Sequence, residues 1–98
     1  MKGSPPYRIT RSADTDLVEI WQFVARRSFH SADKLIDELT TVFTTLSDQL
    51  LMGEVFDLER QFMRRFVVGE YVVYYSTDTD PITILRVLHG ARDSSQLL

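Results

Sequence analysis

Two runs of β-branched and aromatic residues meet at Gly69 and Glu70, and this junction constrains the fold more than any other stretch. Glycine at the first central position suits a two-residue type II′ turn, which joins neighbouring antiparallel strands. Such a turn fixes the register of the hairpin. It predicts the pairs Val68 with Tyr71, Phe66 with Val73 and Arg64 with Tyr75 on one face, and Val67 with Val72 and Arg65 with Tyr74 on the other.

A third strand is predicted over residues 82–89, after a polar turn at residues 78–81. Its alternation predicts Ile82, Ile84, Arg86 and Leu88 on one face and Thr83, Leu85, Val87 and His89 on the other. Both faces of this sheet are mostly apolar, so both need cover. We expect helices on one face and a terminal element, a second chain or a ligand on the other.

The first half of the chain has the apolar period of two helices. One is predicted over about residues 13–27, with Ser12 as its N-cap and Trp21 in the core. The second opens near Ser31 and continues for about five turns, until Gly53 ends it as a C′ residue. The connection between them is short, so the two helices must lie antiparallel.

The remaining segments complete the predicted fold. Residues 7–10 alternate as a brief edge strand, and residues 54–61 fit either an extended crossover or one helical turn. The order of elements predicts an α+β domain with an N-terminal edge strand and an antiparallel helical hairpin packed on a three- to four-stranded antiparallel sheet. A length of 98 residues suits one domain, residues 1–98.

Composition narrows the functional classes. There is no cysteine, which excludes disulfides and zinc–thiolate sites, and two histidines are too few for most histidine-rich metal sites, so no cofactor or metal is predicted. The formal charge of −3 argues against bulk nucleic-acid binding. No apolar run approaches the roughly 20 residues of a membrane span, and the first six residues lack a signal-peptide core. We expect a cytoplasmic protein that does not bind membranes.

Two stretches of the C-terminal half carry a family resemblance. Val68-Gly69 followed by Tyr71-Val72-Val73-Tyr74-Tyr75 is similar to a VG-x-YVV-x-Y hairpin, and residues 84–93 resemble an I-x-RVLHGARD ending. Both motifs are typical of the ParE branch of the RelE/ParE toxin superfamily, and the resemblance extends from residue 7 to residue 98. The chain departs from the family pattern at Met52-Gly53, where relatives usually have proline-glycine, and in the next residues, which lack a glycine-rich crossover.

The resemblance implies a toxin of a type II, plasmid-stabilisation module that inhibits DNA gyrase. Inhibition by binding needs shape and a few exposed groups, so no enzyme activity is predicted. The predicted target-binding residues form a C-terminal patch: Arg86, His89, Arg92, Leu97 and Leu98. Pairing with carboxylates such as Asp93, Glu54 or Asp57 is an equal alternative for each arginine.

The resemblance also implies a cognate ParD-like antitoxin as partner. Its C-terminal segment, disordered until bound, is expected to lay an apolar face on the toxin. The predicted antitoxin-binding residues belong to the strands of the hairpin: Arg64, Arg65, Val67, Tyr71, Val72 and Tyr74. Of these, Arg64 and Arg65 are expected to pair with antitoxin carboxylates.

Two alternative functions stay open on the sequence. RelE-type cleavage of messenger RNA on the ribosome needs proton transfer and a cation for the phosphorane, and its candidates are His89, Arg92 and Arg86. The C-terminal tyrosine or histidine of that branch is absent, and Lys2 and Lys34 are the only lysines for gripping ribosomal RNA. The third function is a non-toxic homologue that binds the antitoxin as a decoy or an assembly component.

Overall fold

Residues 6–91 are described by the structure, which is a computed structural model. The elements follow in the order β1 (Arg8–Ile9), α1 (Arg11–Ala25), α2 (Phe29–Asp48), β2 (Glu54–Val55), β3 (Met63–Val68), β4 (Tyr71–Ser76) and β5 (Thr83–His89). The strands form one sheet in the order β1-β5-β4-β3-β2, and the helical hairpin packs on one face of it. The predicted α+β class is confirmed. Neither helix is long and apolar enough to cross a membrane.

The β3–β4 hairpin has the predicted register throughout, from Met63 opposite Ser76 to Val68 opposite Tyr71. Gly69 has a φ of +60°, and no residue other than glycine has a positive φ among the residues that the structure describes. The second turn residue, Glu70, therefore has a negative φ. This combination fits the predicted type II′ turn and excludes a type I′ turn, which needs positive φ at both central positions.

The two edges of the sheet differ from the prediction. The N-terminal strand is confirmed at an edge, but it pairs parallel with β5, with Arg8 opposite Thr83. A fifth strand, β2, forms the other edge, with Glu54 opposite Arg65. The sheet is therefore mixed, because β1 runs parallel to β5 whereas the other neighbouring strands are antiparallel. The stretch 54–61 starts as an extended crossover.

Both helices begin earlier than predicted. Thr10, not Ser12, is the N-cap of α1, because its hydroxyl oxygen accepts the Ala13 N–H at 3.0 Å. The same hydroxyl donates to the Leu85 carbonyl at 2.8 Å, so the cap also ties the helix to β5. Local sequence patterns do not show a long-range bond of this kind, so they could not favour Thr10 over Ser12 as the N-cap.

The helix α2 also starts and ends upstream of its predicted limits. Ser28 is its N-cap, instead of a start near Ser31, and the helix ends at Asp48. Gly53 is therefore not a C′ residue. It is needed for a close approach, since a Cβ there would lie 2.6 Å from both the Tyr75 hydroxyl and the Arg65 carbonyl oxygen.

A β-bulge interrupts the predicted alternation of β5. Tyr74 pairs with Arg86, whereas Tyr75 pairs with Ile84, so Leu85 is an extra residue. Ile84 and Val87 consequently both lie in the core, although simple alternation puts them on opposite faces. The prediction of two strictly alternating sets over residues 82–89 is wrong beyond the bulge.

The core lies between the helical hairpin and the inner sheet face. Its fully buried members include Leu39, Phe43 and Leu46 of α2 and Val73 and Tyr75 of β4.

Trp21 is not part of this core, contrary to the prediction. It is half-buried on the outer side of the helices, where its indole N–H donates to Asp33 at 2.8 Å and its ring stacks on exposed Phe29. Ile20 occupies the buried stripe instead. Adjacent helical residues point about 100° apart, so only one of the two can face the sheet.

The outer sheet face, which points away from the helices, is less open than predicted. Tyr74 is only 4% exposed, and the ring of Phe56 packs against it edge to face with centroids 5.2 Å apart. Leu88 is buried as well. Val67, by contrast, is 60% exposed. The expected uncovered surface therefore shrinks to the part of this face around Val67.

Candidate partner-binding site

A groove of about 710 Å³ opens at the end of the domain where α1 finishes and the β3–β4 turn lies. Its apolar lining comes from three separate segments: Phe23 and Val24 of α1, Leu35 of α2, and Val68 and Tyr71 of the hairpin. This groove was not predicted from the sequence. The one available signal was Phe23, a large apolar residue outside the buried stripe of its helix.

Charged groups stand at the rim of the groove. Arg26 and Arg27 follow one another at the end of α1, and Glu38 and Glu70 also line the groove. The Arg26 guanidinium lies 5.4 Å from the centroid of the Phe23 ring, within range of a cation–π interaction. Phe23 is itself 48% exposed. An apolar floor with two adjacent arginines suits an apolar segment that carries carboxylates.

The predicted antitoxin-binding residues lie in several different environments. Tyr71 is buried on the inner face and lines the groove, whereas Val67 and Val72 pair across the outer face. Tyr74 is covered by Phe56. Arg65 lies beside Val67 on β3 and pairs with Glu54 at 3.2 Å. The six residues therefore do not form a single face.

Arg64 has a different environment from Arg65. Its Nη1 donates to the Gly53 carbonyl at 2.6 Å and to the Leu51 carbonyl at 3.5 Å. These bonds hold the connection between α2 and β2. Arg64 therefore has a structural contact within the chain, and its pairing with an antitoxin carboxylate stays a prediction.

Tyr75 supports the same connection from inside the core. Its hydroxyl donates to the Leu50 carbonyl at 2.9 Å and accepts the Gly53 N–H at 2.8 Å. Burial raises the pKa of this hydroxyl, while the Gly53 N–H and the nearby Arg64 charge partly oppose that rise. We call Gly53, Arg64 and Tyr75 the Tyr75 clamp.

The predicted C-terminal patch is only partly visible, because Arg92, Leu97 and Leu98 lie outside the described residues. Arg86 makes a two-pronged ion pair with Asp16 of α1, with Nε–Oδ2 at 2.8 Å and Nη2–Oδ1 at 2.9 Å. The carboxylate also accepts the Val87 N–H at 2.9 Å. Asp16 was not among the carboxylates that the sequence suggested. Its contact gives Arg86 a structural role, and the target contact stays a prediction.

His89 lies at the groove end of β5. Its ring packs edge to face on Tyr71 with centroids 5.4 Å apart, and its Nε2 is 3.5 Å from a carboxylate oxygen of Glu70. His89 is opposite Tyr71 and Arg86 is opposite Tyr74. His89 contacts Tyr71 and Glu70, whereas Arg86 is bound to Asp16 of α1, so these two ribonuclease candidates have different partners.

No group of three or more histidine, aspartate or glutamate side chains within residues 6–91 is placed to hold a metal ion.

The helical hairpin packed on a mixed sheet defines the fold class of this α+β domain. The solved structure described as "Chromosomal ParDE TA system from P. aeruginosa" has this fold, with a TM-score of 0.71 and 18% identity over 85% of this chain and 92% of that one.

Within this class, the family model for the "ParE toxin of type II toxin-antitoxin system, parDE" matches residues 7–94. "Toxin ParE1" of Caulobacter vibrioides is 32% identical over 90 residues, which cover 91% of this chain and 93% of that protein. The chain belongs to the ParE toxin family.

Proposed function

We propose that this ParE-family chain acts in the cytoplasm as a gyrase inhibitor that a ParD-like antitoxin neutralises. The groove between α1, α2 and the hairpin is the observation that supports an antitoxin partner. An apolar opening of about 710 Å³ in so small a domain is large enough for several side chains of a bound segment. Its neighbour Val67 extends the apolar surface around the edge of β3.

The charges at the groove match the partner that this function requires. Arg26 and Arg27 offer ten N–H donors in total beside the apolar floor. Antitoxin carboxylates next to apolar anchor residues are therefore expected to bind here, with Arg65 as a further contact on the outer side. Such pairs speed association and favour the correct partner more than they add affinity.

Gyrase inhibition by binding is the proposed toxic action, and it rests on the ParE resemblance. The proposed target-binding residues are Arg86, His89, Arg92, Leu97 and Leu98. His89 is already fixed by Tyr71 and Glu70, so it offers an ordered starting point for a contact. The different partners of His89 and Arg86 favour this binding action over RNA cleavage, which needs groups that converge on the reacting phosphate.

We expect a small open reading frame next to the gene to encode the antitoxin, and neutralisation is tested by expressing the chain in bacteria with and without the product of that reading frame. We expect the neighbouring product to restore growth and to form a stable complex with the purified chain. Growth arrest that persists in its presence, with no complex formed, would contradict the antitoxin half of the proposal.

The target is tested by inducing the chain alone while labelling new DNA and new protein in parallel. We expect DNA synthesis to fall first, and purified gyrase to lose supercoiling activity when the chain is added. Arg92→Ala, or removal of Leu97 and Leu98, should reduce both effects, whereas Arg60→Ala should not. Arg60 is a suitable control because its exposed side chain forms an ion pair with Asp57, three residues away, and with no other residue among 6–91.

Two other outcomes would favour the alternative functions. An earlier fall in protein synthesis would point to RNA cleavage and make His89 and Arg92 catalytic candidates. If neither synthesis falls, the non-toxic antitoxin-binding homologue becomes the better description.

A further inference from the structure

The outer edge of β3 is only partly covered. The strand β2 pairs with Arg64 and Arg65 alone, through Val55 and Glu54. No strand lies beside the rest of this edge among residues 6–91. Exposed strand edges with apolar side chains are sites where another chain can pair.

Val67 is the residue whose backbone groups point out of this open edge. Val68 and Tyr71 flank the two-residue turn, so they exchange hydrogen bonds, and residues 66 and 64 also point toward β4. Residues 63, 65 and 67 must then point the other way. A hydrogen bond confirms this alternation of backbone directions along β3: the Phe56 N–H donates to the Met63 carbonyl on the β2 side at 3.3 Å.

The Tyr75 clamp explains why β2 stops short of Val67. In an antiparallel continuation of β2, Gly53 would lie opposite Phe66 and Met52 opposite Val67. Gly53 is instead held by the Tyr75 hydroxyl and by Arg64, both of which lie on the inner side of the sheet. The chain therefore leaves the sheet plane toward α2 before it reaches Val67, and the outward groups of Val67 have no β2 partner.

We propose that the antitoxin adds a short strand to this edge and pairs its backbone with Val67. This inference deepens the proposed function and rests on it. A partner residue opposite Val67 would place its side chain beside Val67 on the outer face, while its neighbours would point to the inner side. The groove begins there, because Val68 is part of its lining. One extended segment with apolar residues on both faces fits both surfaces.

A second copy of this chain is a poorer occupant. If two β3 strands paired antiparallel about Val67, residue 69 of one copy would lie opposite Arg65 of the other. That position is already taken by Glu54 of β2. The rigid hairpin would collide with β2, whereas an extended segment of a partner can turn away at that point.

Amide hydrogen exchange by NMR tests the pairing residue by residue. The free chain is compared with its complex with the product of the neighbouring open reading frame. We expect the Val67 amide to exchange rapidly in the free chain and to become protected in the complex. The amides of Phe66 and Val68 point toward β4, so they should be protected in both samples and serve as internal controls.

A pair of substitutions tests the contribution to affinity. Val67→Pro removes the outward N–H but no bond to β4, a position where an edge strand tolerates proline. Val67→Thr keeps the N–H and a β-branched side chain. We expect Val67→Pro to weaken the complex roughly 10-fold relative to Val67→Thr, the value of about one hydrogen bond.

The outcomes separate this inference from the proposed function. If the complex forms but the Val67 amide stays unprotected and both variants bind equally, the strand pairing is wrong and the antitoxin partner stands. If the wild-type chain forms no complex, both fail. A free chain that is dimeric, and that Val67→Pro makes monomeric, would assign the edge to a second copy instead. If Val67→Pro does not fold, the exchange experiment decides alone.

Discussion

The two ends of the helix–sheet interface are built in different ways. At the end where α2 finishes, the Tyr75 clamp satisfies its polar groups internally and fixes the connection to β2. At the other end, a half-exposed Phe23 lines an open groove and Val67 is largely exposed. Internal hydrogen bonds contribute stability, whereas exposed apolar surface offers a partner something to bury. We therefore expect substitutions at the clamp end to change stability and substitutions at the groove end to change binding.

Gly53→Ala should have the largest effect, and it acts on the clamp end. The added Cβ would lie 2.6 Å from both the Arg65 carbonyl oxygen and the Tyr75 hydroxyl, so the backbone must move. We expect the free energy of unfolding in urea to fall by about 3 kcal/mol. Gly90→Ala is the matched control, since its nearest contact would be an ordinary 3.4 Å to Val72. Equal stability of the two variants would contradict the close approach at Gly53.

Tyr75→Phe should have the next largest effect. It removes the hydroxyl that bonds Leu50 and Gly53 and leaves the buried Gly53 N–H without a partner, which costs about 1–3 kcal/mol. Tyr74→Phe serves as the control, because no hydrogen bond of the Tyr74 hydroxyl is found within residues 6–91. Chemical denaturation of both variants measures the difference. If Tyr74→Phe destabilised the domain as much, the clamp would have no special role.

Phe23→Ala tests the groove end, where binding should change more than stability. Phe23 is 48% exposed, so its truncation should change the free energy of unfolding by less than about 1 kcal/mol. The affinity for the antitoxin should fall by at least roughly 10-fold if Phe23 is an anchor of the interface. Calorimetric titration measures this. Phe29→Ala is the control, since Phe29 is exposed but stacks on Trp21 outside the groove. If Phe29→Ala lowered the affinity more than Phe23→Ala, the antitoxin would bind near Phe29 and not in the groove.

Alkaline pH gives the smallest expected effect and again concerns the clamp. Burial raises the pKa of Tyr75 above its ordinary value of 10.0, so the folded state favours the neutral phenol. Its contribution is complete below about pH 10 and is lost as the pH rises through the higher folded pKa, because the unfolded chain releases the proton first. Thermal unfolding between pH 9 and pH 11, values that bracket the ordinary tyrosine pKa of about 10, should show a weaker decline for Tyr75→Phe than for the wild type.

A residual decline is expected in that variant. Burial also raises the pKa of Tyr7, and the Asp14 charge adds to the shift. An identical pH profile for Tyr75→Phe and the wild type would show that the Tyr75 hydroxyl is not buried in the clamp.

The sequence predicted those features that depend on neighbouring residues. The hairpin register follows from Gly69 and two short strands, so it was predictable pair by pair. The starts of α1 and α2 were not, because Thr10 is selected as a cap partly by its bond to Leu85. The bulge at Leu85 was also missed, since a single extra residue leaves the composition of the strand unchanged.

The candidate site was harder to predict than the fold. The hairpin residues Val67 and Tyr71 were identified, but they lie on opposite faces of the sheet. The groove needs Phe23, Leu35 and Val68 to come together, and no one segment contains that information. Asp16 was not predicted as the partner of Arg86, because the two residues are 70 positions apart in the chain.

The parallel pairing of β1 with β5 also affects the order in which the domain can form during its synthesis. Thr10 and Leu85, which share a hydrogen bond, are 75 residues apart. During synthesis, α1 and the local bond between Thr10 and Ala13 can form early, whereas the Thr10–Leu85 bond and the ion pair of Asp16 with Arg86 must wait for β5. The attachment of α1 and β1 to the sheet is therefore completed only after residues 83–89 have been made.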